Sequence, residues 1–341
     1  KLLEITTAYF KLTYTKEMPF LGTKLDPMKY LKITLLSGQP DEERSWYYQH
    51  PEVRNMNGNM ISDDIKTPKN LQKGLYSLEG FVSLDDSNSL LFASDGTLYP
   101  RPKDGIDLYV FMYKKDFSKA LQDYFRLTGK PDLLPRYAFG NWWSRNTTYT
   151  HDSLLELVNQ FERRNVPLSV VLLDKDWHYR DVGSYRSLET GFTFNNTLFP
   201  QPTETVAALH DHNIRLGLAL NPEQGIYPHE MYYQQACQYL GITDNKIIVF
   251  DPLNPKLLDV YFKLFLHPLE SLGVDFFWHN YTGGHQLYKL LAYNDYHYKD
   301  AARNPAKRAL LLSRNAIYAP HRYSVLYAGT SEVSWDNLKR I

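Results

Sequence analysis

Five short segments end in groups suited to binding something rich in hydroxyls. They are Trp142-Trp143-Ser144-Arg145, Asp174-Lys175-Asp176-Trp177-His178, Asn221-Pro222-Glu223, His279-Asn280 and Ser313-Arg314-Asn315. Amides, hydroxyls and single charged groups each offer a polyol a donor or an acceptor, while indole faces cover the C–H face of a sugar ring. One such ending could be accidental. Five in register, each after an apolar run, are hard to explain as solvated loops.

The elements that must position these groups are readable around them. Apolar runs of strand length recur at 137–142, 168–174, 214–221, 274–278, 309–313 and 324–327. Helical stretches lie between them at 153–164, 204–212, 255–272 and 287–298. Continuous apolar strands alternating with helices predict a parallel sheet covered on both faces. A (β/α) barrel is the natural candidate, with its chemistry at the C-terminal strand ends.

Upstream the rhythm differs. Short alternating runs at 5–10, 30–36, 80–84 and 108–113 are separated by Gly, Pro, Asn and Asp clusters, which predicts a β-sandwich over 1–115. A linking helix is expected within 116–133, ended by Gly129-Lys130-Pro131, and the barrel over 134–341.

Composition narrows the partners. With 43% hydrophobic residues the chain can bury a large core, and its formal net charge is zero without long basic runs. Nucleic acid and anionic membranes are therefore not expected partners. No run of eighteen apolar residues occurs, and Lys1-Leu2-Leu3-Glu4 does not read as a signal peptide, so a cytoplasmic location is expected. The single cysteine, Cys237, sits in a helical stretch without a ligand-spaced companion and reads as a buried structural thiol. Eleven histidines show no metal-ligand spacing, and there is no phosphate-cradling glycine loop. No metal or organic cofactor is expected, and a nucleotide-binding α/β protein is the weakest reading. Formal glycosylation sequons at Asn146, Asn195 and Asn280 carry little weight without a secretory signal.

Several of these motifs together resemble glycoside hydrolase family 31, which includes α-glucosidases and α-xylosidases. The stretch from Leu134 to Arg145 looks like its barrel entry, and Leu172–His178 is similar to its second-strand motif. Leu198-Phe199-Pro200 and Gly225–Glu230 match the next two, while Gly273–Trp278 resembles the approach to its nucleophile. Ser313-Arg314, His321-Arg322-Tyr323 and Ser334-Trp335 resemble the segment around its acid/base. The resemblance implies an N-terminal β-sandwich followed by a (β/α)8-type barrel, and a retaining exo-acting enzyme cleaving terminal α-linked glucose or a related sugar.

Such an enzyme needs two carboxyl groups about 5 Å apart. The resemblance puts the nucleophile at Asn280 and the acid/base at Thr330, and neither is a carboxylate. An amide is a poor nucleophile and a hydroxyl too weak an acid; Glu332 is the alternative acid. The resemblance also implies sugar contacts from Asp174 and Arg314, with Trp143, Trp177 and His178 as pocket walls. The expected function is thus a family 31-like α-glycosidase acting on an oligosaccharide or glycoside and inactive in this chain. The rival reading is a non-catalytic sugar-binding or scaffolding relative. Six strands over roughly 200 residues fall short of the about 250 usual for eight. The barrel is expected to lack its last strands, with a further segment or chain completing it.

Overall fold

The computed structural model describes residues 1–36, 44–57, 73–93, 98–99, 101, 105–174, 176–282, 287–313, 320–323, 325–327 and 333–338. The chain divides into two compact units, the first within 1–130 and the second over Pro131–Ile341. The strands of the first are β1 (Leu2–Thr6), β2 (Phe10–Thr15), β3 (Leu31–Leu35), β4 (Arg44–Trp46), β5 (Phe81–Asp85), β6 (Leu91–Phe92), β7 (Leu98–Tyr99) and β8 (Leu108–Met112). A helix, α1 (Phe117–Thr128), follows them.

Strands β1 to β4 form one antiparallel sheet in chain order, and β5 pairs antiparallel with β8. Leu31, Ile33, Trp46 and Phe81 form a shared core between them, joined by Leu108, Val110 and Met112 of β8. The other face of β8 turns Phe111 toward Phe117 and Ala120 of α1, so alternate residues of one strand serve two layers. Residues 5–10, which read as one strand, split into β1 and β2. Thr7 Oγ1 accepts from both Tyr9 N and Phe10 N at 3.1 Å, and that local bond makes the turn.

In the second unit the order is β9 (Trp142–Ser144), α2 (His151–Arg163), β10 (Val170–Leu173), α3 (Pro202–Asp211), β11 (Arg215–Leu220) and α4 (Tyr233–Leu240). Then come α5 (Pro255–Val260), α6 (His267–Ser271), β12 (Phe276–His279), α7 (Leu287–Ala301), β13 (Leu311–Ser313), β14 (Val325–Leu326) and α8 (Trp335–Leu338). The six strands lie side by side in chain order, and every neighbouring pair is parallel. No helix among the described residues is long and apolar enough to cross a membrane.

Alternation divides this sheet into two faces. Val170, Leu172, Ala219, Phe276, Trp278, Leu310 and Leu312 pack together on the inner face. Val171, Leu173, Leu216, Leu218, Leu220 and Phe277 pack on the outer face with Leu154 and Val158 of α2 and Val206 and Leu209 of α3. The inner face is crowded enough to require a glycine: a Cβ on Gly217 would lie 2.4 Å from the Phe276 ring and 2.8 Å from a Leu172 methyl.

Two sequence expectations change. The apolar run 137–142 is a 3-10 turn at Arg136–Phe139, and β9 begins only at Trp142. Its residues are apolar for another reason, because Leu134, Tyr137 and Ala138 pack against the inner cluster. The helix expected over 255–272 is interrupted by a π-helical stretch at Tyr261–Leu266, just before Pro268. Proline offers no backbone N–H and its ring clashes with the carbonyl four residues back, so the ladder widens ahead of it.

The glycine in β11 gives a direct test of the inner face. Gly217→Ala should destabilise the protein by about 1–3 kcal/mol through overpacking, read as a lowered urea midpoint with an unchanged slope.

Candidate functional site

The alternation that packs the strands also aims the residues that follow them. On four of the six strands the next inward position after the last inner core residue is Asp174 after Leu172, Asn221 after Ala219, Asn280 after Trp278 and Tyr327 after Val325. Asn280 is tied to its neighbour strand by a backbone bond, its N–H donating to Leu220 O at 2.8 Å. Asn221 and Asn280 are therefore side by side at the C-terminal edge of adjacent strands, about 5 Å apart in the backbone. Tyr327 N–H donates to Ser313 O at 2.9 Å, and its ring packs on Trp278 at 5.1 Å.

Among the described residues, three polar atoms on this inner face are buried without a protein hydrogen-bond partner: Asn221 Oδ1, Trp278 Nε1 and Asn280 Oδ1. Two accept and one donates. Leaving such a group unpaired costs about 1–3 kcal/mol, so each is a site of unused hydrogen-bonding capacity. Asp174 is half-buried at the end of β10 and brings a carboxylate to this face.

Of the residues singled out from sequence, Asp174, Asn221 and Asn280 share the inward face. Trp142 does not close its strand but opens it, and its Nε1 donates to Ala138 O at 3.1 Å two residues below the strand end. Trp143 projects outward: its Nε1 donates to Tyr149 at 2.8 Å and its ring meets Phe161 of α2. Trp177 is fully buried in the outer core, with Nε1 donating to Ala219 O at 3.0 Å. Neither tryptophan lines the inner face: Trp143 meets Phe161 of α2, and Trp177 packs on Phe194 of the loop before α3 and bonds the β11 backbone. Arg314, Thr330 and Glu332 lie outside the described residues.

His178 is 3% exposed, with Nδ1 at 3.0 Å from Tyr179 O, and burial holds its pKa down at about 4. Gly191 lies against it so closely that a Cβ there would meet the imidazole at 2.4 Å. His178 is thus a neutral packing group under the long loop between β10 and α3.

Other contacts at the strand ends were not legible as site features. Glu223 accepts from Thr282 Oγ1 at 2.8 Å, which ties the loop after Asn221 to the loop after Asn280. Both partners sit two residues beyond a strand-end asparagine, a symmetry that carries no signal without the fold. Behind Asn280, His279 faces outward with Nε2 at 2.6 Å from Asn294 Oδ1 of α7. Burial holds His279 down at about 4 and His297, stacked near it, well below the ordinary histidine range. Tyr293 accepts or donates to Tyr261 at 2.9 Å and contacts His297 at 3.2 Å, and burial raises both tyrosines. The last turn of β12 is therefore braced by an uncharged polar layer. Among the described residues no group of three His, Cys, Asp or Glu side chains is placed to hold a metal ion.

Parallel strands in chain order alternating with helices, with polar side chains at their C-terminal ends, are the arrangement of a (β/α) barrel segment. The family model for the TIM-barrel domain of glycosyl hydrolases family 31 matches residues 131–341. This chain belongs to glycoside hydrolase family 31. It is 24% identical to an α-xylosidase of Saccharolobus solfataricus over 261 residues, which is 69% of this chain and 34% of that protein. It is 34% identical to an α-glucosidase of the same organism over 173 residues, 46% of this chain and 24% of that protein. The matches thus span about a third and a quarter of those two relatives. Among solved structures, a family 31 dextranase of Flavobacterium johnsoniae superposes with a TM-score of 0.65 at 17% identity, covering 97% of this chain and 48% of that one. A cycloalternan-forming enzyme of Listeria monocytogenes gives 0.64 at 14% identity, covering 99% and 41%.

The buried histidines set a pH limit. A histidine whose folded pKa is depressed stabilises the fold above its unfolded pKa of about 6.5, and that stability is lost as pH falls toward 4. His279 alone should contribute about 3 kcal/mol of this loss. Chemical denaturation from pH 7 to pH 4 should show a decline that His279→Gln, which cannot charge, reduces by its share.

Proposed function

We propose that this family 31 domain binds the terminal unit of an α-linked gluco- or xylo-saccharide and does not hydrolyse it. The observation that carries the reading is the trio of buried, unpaired atoms on the inner face, Asn221 Oδ1, Trp278 Nε1 and Asn280 Oδ1. A sugar hydroxyl both donates and accepts, so a ring lying over β11 and β12 satisfies all three at once. Asp174 adds charge-assisted bonds to further hydroxyls. In this reading Arg314 supports the same ring.

Inactivity follows from residue chemistry. Retaining hydrolysis in this family's manner needs a carboxylate to attack the anomeric carbon and a second carboxyl group to protonate the leaving oxygen. Asn280 occupies the first position in this assignment and Thr330 the second, with Glu332 as the alternative acid. The amide keeps the shape of a carboxylate and loses its charge, so sugar affinity survives where turnover does not. The exo-acting, retaining α-glycosidase chemistry is the ancestral activity in this reading. The first unit then corresponds to the family's N-terminal β-sandwich, and the six strands become part of an eight-stranded barrel completed by a further segment or chain.

Calorimetry should detect binding of glucose, xylose or a short α-glucan at millimolar concentrations. Asp174→Ala should weaken it by ten- to hundredfold, since a hydrogen bond to a charged group contributes about 1.5–3 kcal/mol. No heat at high millimolar sugar from a folded protein would overturn the proposal. Nitrophenyl α-glycosides should not be turned over by the unaltered chain. Asn280→Asp should regain activity on them, because their leaving group needs little protonation. Maltose should stay slow, because general acid help worth about 10²–10⁴-fold is still absent. Brisk maltose hydrolysis by the unaltered chain would show the nucleophile to be elsewhere.

A further inference from the structure

Away from the inner face, a carboxyl group is buried where two loops of the barrel's C-terminal end meet. Glu230, in the loop between β11 and α4, is 4% exposed. Its Oε2 accepts from Phe192 N at 3.1 Å and Thr193 Oγ1 at 2.7 Å, both in the loop between β10 and α3. Thr193 Oγ1 in turn accepts from Met231 N at 3.1 Å. The other oxygen, Oε1, lies 3.5 Å from Nε2 of His229, whose ring nitrogens are both buried with no closer hydrogen-bond partner. The rings of Tyr185 and Tyr227 enclose that imidazole, one from each loop.

We propose that Glu230 is a proton-dependent latch: protonated, it holds the two loops closed, and ionised, it favours their separation. These loops begin at Asp174 and Asn221, so closure sets the approach of the two sugar-facing residues; that consequence alone rests on the saccharide reading above.

The charge balance around the latch is what makes it responsive. Among the described residues no cation bonds to Glu230; its surroundings are the two loop donors, His229 and, beyond His229, the tyrosines and the neutral His178. Arg180 and Asp176 act on His178 rather than on Glu230. Burial also holds His229 below the ordinary histidine range, so it brings no lasting positive charge. Burial raises Glu230 to about 7, against the lowering effect of Thr193 and Phe192. Loop opening hydrates the carboxyl and returns it to its ordinary range near 4.3. The closed form then holds the extra proton between those values. Closure is therefore fully favoured at low pH, weakens as pH rises toward 7, and is level above it.

Glu230→Gln separates this from a purely structural role. The glutamine carbonyl accepts from Phe192 and Thr193 as Oε2 does, and its NH2 faces His229 as the protonated acid would, but it cannot ionise. Hydrogen–deuterium exchange at the amides of residues 192 and 231, corrected for intrinsic rate, reads loop opening directly. In the unaltered protein their protection should fall roughly tenfold between pH 5.5 and 7.5. In Glu230→Gln it should stay level. Protection independent of pH in the unaltered protein overturns the proposal whether or not the variant folds, and an equal slope in both proteins does the same. A second readout, sugar affinity across the same pH range, bears only on the consequence: level affinity with sloping protection leaves the latch standing and removes its link to the pocket.

Discussion

The two-residue alternation of a parallel strand, covered on both faces, is the constraint from which the rest of this barrel follows. In β12, Phe276 and Trp278 pack inward while Phe277 and His279 pack against helices. Asn280 must then point inward, and the bond from its N–H to Leu220 O fixes how far along the axis it stands. A slip of one residue would bury Asn280 among helices and put His279 on the inner face. The same count aims Asp174 and Asn221.

Because both faces are already filled with apolar side chains, the polar groups at the strand ends cannot relax onto one another freely. Among the described residues, the buried amide oxygens of Asn221 and Asn280 and the indole N–H of Trp278 have no protein partner. Among the described residues, the inner face thus gathers hydrogen-bonding capacity, with Asp174 as a charged group at its edge. The layer behind it follows the same economy: His279, His297, Tyr261 and Tyr293 are polar, buried and neutral. This neutral layer packs behind β12, on the side of the strand opposite to Asn280.

The C-terminal loops obey a different rule. Besides a backbone bridge between Ile226 and Ile248, side chains join them: Glu223 to Thr282, Glu230 to Phe192 and Thr193, and Thr148 to Asp176. Sheet pairing sets where the inward-facing strand-end residues stand, and these carboxylate contacts set how the loops are gathered around them. A rim held by a few bonds opens at lower cost than a strand.

Sequence alone determined the elements whose periodicity is strong, namely the runs that became β10, β11 and β12 with helices between them, and the polar endings Asp174, Asn221 and Asn280. Periodicity also misled where burial had another cause, as at 137–142, where residues plug the inner cluster from a turn. The direction of Trp143 and the full burial of Trp177 were not legible, because a tryptophan after an apolar run reads the same whether it meets a ligand or a helix. The π-helical stretch before Pro268 left only the proline as a trace. The pairing of Glu230 with residues 37 and 38 positions away, and of Glu223 with Thr282 across 59, was decided by tertiary structure alone. Local sequence fixes which face a side chain takes, since that depends on the backbone period; which partner it finds there depends on the strand order and loop paths that bring distant segments together.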